Sequence, residues 1–147
     1  MNLAKMVSAI RVSNAVAAGT SDVTSSAIDM QNYEGCLMIF ALGTITASAV
    51  TSCKAQQSSD DGGSDAYADL TGTSITVADD DDNQIVILDI YKPKERYLKG
   101  IIDRATQNAV VDGIFVLRYG AKKLPAVDDS STVVASETHV SPAEGTA

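Results

Sequence analysis

The chain has 147 residues, the length of one domain that can bury a core without disulfides or metal. Its net charge of −8 argues against nucleic acid as the main partner, because neutralising phosphates needs clustered Lys and Arg. No apolar run reaches the roughly 18 residues of a membrane span, and Lys5 and Arg11 interrupt the N-terminal run that a secretory signal needs. We therefore expect one domain made in a cytoplasm, with neither membrane nor nucleic acid as a direct partner.

Short apolar segments rich in Val, Ile and Thr follow one another at fairly regular spacing, separated by turn residues. No amphipathic helix of crossover length fits between them, which disfavours a parallel sheet. The pattern predicts an all-β fold, an antiparallel β-sandwich or jelly-roll of about eight strands with extended N- and C-terminal arms. The predicted strands are residues 7–16, 23–30, 36–42, 50–58, 74–78, 84–91, 97–104 and 110–119.

Two of these strands are apolar on both faces. Residues 36–43 contain no charged side chain. Residues 84–91 alternate, with Ile85, Ile87 and Asp89 on one face and Val86, Leu88 and Ile90 on the other, so both faces are mostly apolar. A sandwich with one solvated face per sheet needs less apolar strand than this. The surplus predicts a homo-oligomer, with a homodimer favoured over a trimer.

Cys36 and Cys53 fall in neighbouring predicted strands. A disulfide between them is geometrically possible. Two buried, reduced thiols are the favoured interpretation, because one cysteine pair in a chain without a secretory signal does not indicate a disulfide framework.

Charge is segregated along the chain. Residues 60–82 hold eight Asp and no base, whereas residues 92–123 hold eight bases and three acids. This segregation either orients neighbouring subunits or reflects two solvated loops.

No residue is predicted to be catalytic or to bind a metal or a cofactor. The run Asp79-Asp80-Asp81-Asp82 and residues 60–65 lack the ligand spacing of a calcium loop, so solvated turns are favoured. His139, the single histidine, lies in a polar tail where nothing rigid holds it. Nucleophile, phosphate-loop, dinucleotide and zinc motifs are absent from the sequence, which predicts a protein that is not an enzyme.

Two segments are predicted to contact partners. One is the basic loop around Pro93, whose candidate interface residues are Lys92, Lys94, Arg96 and Tyr97. The other is residues 126–147, a tail poor in large apolar residues and extended or flexible by itself, which is set apart from the sandwich domain of residues 1–125. Its candidate anchors on a neighbouring subunit are Val133, Val134 and Val140.

Four features in chain order carry a family resemblance over roughly residues 28–120. They are Tyr33-Glu34-Gly35 before an apolar strand, Gly43-Thr44-Ile45-Thr46 after it, a strand ending in residues 56–62 (QQSSDDG), and Arg96-Tyr97-Leu98 at the start of a late strand. Together they resemble the small decoration, or cement, proteins of tailed bacteriophage capsids.

The resemblance implies a sandwich or jelly-roll subunit, often dimeric or trimeric, that binds the assembled shell of major capsid protein and reinforces it. It places the chain on the capsid surface of the virion. A head-to-tail connector or tail component is the alternative within phage structural proteins. A carbohydrate-binding module is a second alternative, which the absence of Trp disfavours because such modules usually present an aromatic platform.

Overall fold

The computed structural model describes residues 2–146 and contains eleven strands and one turn of 3-10 helix, Leu3–Lys5. None of the described residues forms a helix long and apolar enough to cross a membrane. The strands are β1 (Ser8–Ser13), β2 (Val16–Gly19), β3 (Val23–Thr24), β4 (Ile28–Asp29), β5 (Gly35–Ile45), β6 (Val50–Ser58), β7 (Ala68–Asp69), β8 (Ile75–Val77), β9 (Ile85–Tyr91), β10 (Tyr97–Ala105) and β11 (Ala109–Tyr119).

The strands form two antiparallel sheets packed face to face. Sheet one has the order β1-β11-β5-β9, with β2 also on β11, and sheet two has the order β3-β10-β6-β7, with β4 on β10 and β8 on β6. If each of the pairs β1/β2, β3/β4 and β7/β8 is counted as one interrupted strand, eight strands remain, in the orders 1-8-3-6 and 2-7-4-5. This is the jelly-roll arrangement, in which the chain passes repeatedly between sheets. The predicted all-β sandwich is confirmed.

Every predicted strand overlaps an observed one, and the differences are breaks and ends. The first predicted strand is split into β1 and β2, after a register shift in the pairing with β11 between Arg11 and Ser13. The strand predicted at 23–30 is split into β3 and β4 where Ser25 exchanges hydrogen bonds with the backbone of Gly100. The two-residue strand β7 is too short to produce a pattern.

The core lies between the sheets and is built from alternate residues of the long central strands. In β5 the inward side chains include Met38, Phe40 and Leu42, each at most 2% exposed. Leu98 and Ile102 of β10 meet them from sheet two. Full burial of one such side chain contributes about 1.5–3 kcal/mol. Additional buried core residues are Cys36, Cys53, Ala55, Val111, Ile114 and Val116.

Phe40 packs directly on a glycine of the opposite sheet. A Cβ placed on Gly100 of β10 would lie 2.9 Å from Cε1 of the Phe40 ring, closer than real side-chain contacts allow. The glycine therefore provides the space that the largest core side chain needs.

Arg104 of β10 ties the sheets together at one end of the sandwich. It is 5% exposed, and its guanidinium donates to the carbonyl oxygens of Ser21 (2.6 Å), Ala17 (3.0 Å) and Ala109 (2.6 Å). These carbonyls belong to the β2–β3 connection, β2 and β11. One buried cation therefore joins three chain segments, and its charge is compensated by carbonyl dipoles.

Cys36 of β5 and Cys53 of β6 belong to different sheets, are both fully buried, and are free thiols. Burial raises the pKa of each thiol from 9.0 to about 12. We expect neither to react with iodoacetamide in the folded chain at mildly alkaline pH, and both to react after unfolding, because the thiolate is the nucleophile. Mass spectrometry of the alkylated chain checks this, and rapid native labelling of either cysteine would contradict it.

The same pKa shifts predict how stability responds to alkaline pH. The stabilisation from keeping both thiols neutral is complete below pH 9.0 and is lost as pH rises towards 12, because only the unfolded chain ionises there.

The C-terminal segment lies along the outer edge of β1 in the same chain. The amide of Ala126 donates to the carbonyl of Lys5 (2.9 Å), and the amide of Ala9 donates to the carboxylate of Asp128 (2.7 Å). The amide of Arg11 donates to the hydroxyl of Thr132 (3.2 Å). Side chains thus replace part of a strand ladder and cover this edge of sheet one.

Candidate interaction surface

The outer surface of sheet one is a continuous apolar area across three strands, here called the apolar face. At its centre Ile39 of β5 is paired with Phe115 of β11 on one side and Ile87 of β9 on the other. In the next row Leu37 is paired with Leu117. The members of the apolar face are Leu37, Ile39, Ala41, Ile85, Ile87, Phe115 and Leu117.

Several of these side chains are open to solvent. Ile85 is 57% exposed, Ile87 is 53% exposed and Phe115 is 36% exposed. Scattered exposed apolar residues are normal on proteins, but a contiguous apolar area marks an interaction site. The sequence predicted that Ile85 and Ile87 share a face with Asp89, and the alternating burial of β9 confirms this.

At one end, the apolar face is bordered by Tyr119, whose ring lies over Gly35. The hydroxyl of Tyr119 donates to the carboxylate of Asp89 at 2.7 Å, and its ring passes over Gly35, where a Cβ would lie 2.1 Å from ring atom Cζ. Burial, followed by the hydrogen bond to Asp89, raises the pKa of Tyr119 to about 12. The phenol therefore stays neutral and holds the one carboxylate of β9 at the border.

The other side of the apolar face is bordered by a base. The guanidinium of Arg11 on β1 lies 5.5 Å from the centre of the Phe115 ring, within the range of a cation–π contact. The apolar face thus has an arginine at its β1 side and an aspartate at its β9 side.

The outer surface of sheet two is mostly polar. Lys54 forms ion pairs with Asp69 (3.1 Å) and Asp103 (3.3 Å), and the amide of Gln56 donates to Asp69 (2.7 Å). The ammonium of Lys99 lies 4.0 Å from the centre of the ring of Tyr67. This surface has its own ionic partners and suits contact with water, so the two outer surfaces of the sandwich differ in kind.

In the acidic turns, several carboxylates accept hydrogen bonds from backbone amides. Asp82 accepts from the amide of Ile45 at 2.5 Å, and Asp79 accepts from the amide of Ser48. Asp60 accepts from the amides of residues 63, 64 and 65, and these bonds hold its pKa below the usual value. Within residues 2–146, no three His, Cys, Asp or Glu side chains are placed to hold a metal ion.

The four candidate residues of the basic loop lie between β9 and the start of β10, and the guanidinium of one of them, Arg96, already has partners in the same chain. Arg96 binds both carboxylate oxygens of Asp29 (2.9 and 2.7 Å) and the amide oxygen of Gln31 (2.9 Å), and this contact lowers the pKa of Asp29. Lys92 and Lys94 are exposed, and Tyr97 is half-buried in β10. Their role as an interface stays a prediction.

The tail candidates follow residues 126–132, the part of the tail that lies along β1 of the same chain. Val134 and Val140 are fully exposed, at 104% and 94%, whereas Val133 is partly buried. His139 contacts Glu137 at 3.0 Å in the same tail. Anchoring of these valines on a neighbouring subunit also stays a prediction.

Sequence reasoning missed the contribution of β11 to the apolar face. Phe115 and Leu117 alternate with the buried Ile114 and Val116, so the signal of a two-sided apolar strand was present. What the sequence lacks is the pairing that sets Phe115 beside Ile39.

Comparison of the chain with protein-family models found no match, and comparison with curated proteins found none either. The functional argument therefore rests on the surfaces of the molecule.

Proposed function

We propose that the chain is a structural virion protein that decorates a tailed-phage capsid: it binds the assembled shell of major capsid protein and stabilises it, without enzymatic activity. The observation that carries the proposal is the contrast between the two outer surfaces. A protein that lies on a shell needs one apolar surface whose burial against the shell is favourable. It also needs an opposite, polar surface that stays in contact with water. The apolar face and the ion-paired surface of sheet two meet these needs.

The acidic net charge of −8 and the polar outer surface suit a protein that reinforces a shell from outside and has no contact with the packaged DNA. Many copies on a regular lattice need only modest affinity at each site, because contacts repeated across the lattice add up to avidity. The resemblance noted in the sequence supports the same assignment.

A single charge at the centre of the apolar face tests the proposal. We expect Ile39→Asp to weaken binding to purified shells lacking the chain by at least about tenfold, because contact would desolvate the carboxylate. Co-sedimentation with the shells measures the bound fraction. Ile39 points outward, so the folded state should survive, which circular dichroism checks.

The matched control is Val50→Asp on sheet two, where Val50 is 59% exposed. This variant carries the same new charge on the opposite surface and should bind like the unaltered chain. Equal binding by both variants would contradict docking through the apolar face.

A further inference from the structure

The two edges of sheet one are treated differently by the chain. The β1 edge is covered by the C-terminal segment through the bonds to Lys5, Ala9 and Arg11. Strand β9 forms the opposite edge and is paired with β5 alone among residues 2–146. An uncovered edge presents a row of unpaired amides and carbonyls that can pair with another strand.

The ladder shows which backbone groups of β9 are free. The amide of Leu42 donates to the carbonyl of Gln84 (3.0 Å), and the amide of Lys92 donates to the carbonyl of Glu34 (2.8 Å). Backbone groups in an antiparallel strand point alternately to its two sides. The backbone amides and carbonyls of the even-numbered residues in this stretch therefore point towards β5. Those of Ile85, Ile87 and Asp89 point away from β5, at the open edge of the sheet.

The usual protections of an edge are weak in β9. Its seven residues contain no Pro and no Lys, and its pairing with β5 runs without a bulge. Asp89 is its one charged residue, and Tyr119 binds that carboxylate. Ile85 and Ile87 are both more than half exposed, and side chains of a neighbouring strand would bury part of their apolar surface.

We propose that β9 pairs antiparallel with β9 of a second copy of this chain, so that sheet one continues across a two-fold axis into the partner. A register centred on Leu88 sets each Asp89 opposite Ile87 of the other copy, which separates the two carboxylates. Because the β1 edge is covered, the same pairing cannot propagate through that edge. Assembly by this contact stops at two subunits, as expected of an isologous interface.

The geometry also fixes where the apolar faces lie. A two-fold axis normal to the joined sheet leaves both apolar faces on the same side, with the ion-paired surfaces of sheet two on the other. The dimer would present one apolar platform about twice the area of the single face. The pairing itself stands independently of the proposed binding to a shell and is measured without one.

Ile87→Pro tests the edge directly. Proline removes the amide that points away from β5 and leaves the ladder between β5 and β9 intact, a position at which edge strands accept proline. We expect the unaltered chain to sediment at twice its 15.3 kDa mass and Ile87→Pro to raise the dimer dissociation constant by at least about 100-fold. Sedimentation equilibrium of the full chain measures both.

Three further variants make the result specific. Ile87→Thr removes similar apolar bulk but keeps the amide, so it should weaken the dimer less than proline does. Val50→Lys adds charge to sheet two, away from β9, and should leave the dimer unchanged. If Ile87→Pro fails to fold, Ile87→Lys serves instead, because it keeps the backbone and sets charge at the pairing edge. A monomeric or trimeric unaltered chain, or a dimer insensitive to both Ile87→Pro and Ile87→Lys, overturns the proposal.

Discussion

Replacing Arg104 with Met should lower the free energy of unfolding by about 3–5 kcal/mol, one of the two largest single-residue effects that we expect in this chain. The guanidinium is the hydrogen-bond donor for the carbonyls of Ala17, Ser21 and Ala109. Methionine fills much of the same volume but donates no hydrogen bond. The cost therefore comes from carbonyls left without this donor where water has little access.

Urea unfolding followed by circular dichroism measures this loss. Arg96→Met is the matched control, since the Arg96 guanidinium also donates several hydrogen bonds, two of them to the Asp29 carboxylate, but its side chain is 44% exposed. An exposed pair contributes at most about 1 kcal/mol, so the control should change stability little. Equal losses in the two variants would show that Arg104 does not join the sheets as described.

Replacing Phe40 with Ala should lower the free energy of unfolding by about 3–5 kcal/mol, because the side chain is fully buried and its removal leaves a cavity between the sheets. The same contact predicts that Gly100→Ala alone destabilises the fold by about 1–3 kcal/mol, through a clash with the ring.

A double variant separates this contact from general damage to the core. Phe40→Leu removes the ring atoms that Gly100→Ala would meet, so the two changes together should cost less than the sum of each alone. Urea unfolding of the two single variants and the double variant gives the coupling energy. Strict additivity would mean that Phe40 and Gly100 do not constrain each other.

The fold class could be predicted from the sequence because strand patterning is local. In β9 the alternation of Ile85, Ile87 and Asp89 with apolar neighbours fixes which side chains share a face. The order of strands within each sheet could not be predicted in this way. Both faces of β5 and β9 are apolar, so periodicity does not say which face meets the core.

The candidate site was predictable only in part. Surplus apolar strand predicted a homo-oligomer, but pairing between distant segments decides that the surplus gathers on sheet one. Likewise, the sequence does not show that Arg96 is held by Asp29, 67 residues away. The tail, poor in apolar residues, was expected to be extended or flexible, yet Asp128 and Thr132 find backbone donors on β1.

The two proposals combine into one physical account of assembly. The covered β1 edge would limit strand pairing, the open β9 edge would direct it to a second copy, and the proposed dimer would turn one apolar platform towards the shell. The ion pairs of Lys54 and the carboxylates that cap the acidic turns stay on surfaces that remain in water. Each part of this account depends on a different residue and can fail separately.

The copy number of the chain in purified virions tests the central claim most directly. Quantitative mass spectrometry against the major capsid protein gives the ratio of the two proteins in intact particles. The decoration role predicts a ratio near one copy per capsid subunit. A handful of copies per particle would indicate a connector or tail component instead, and absence of the chain from virions would contradict a structural role in the particle.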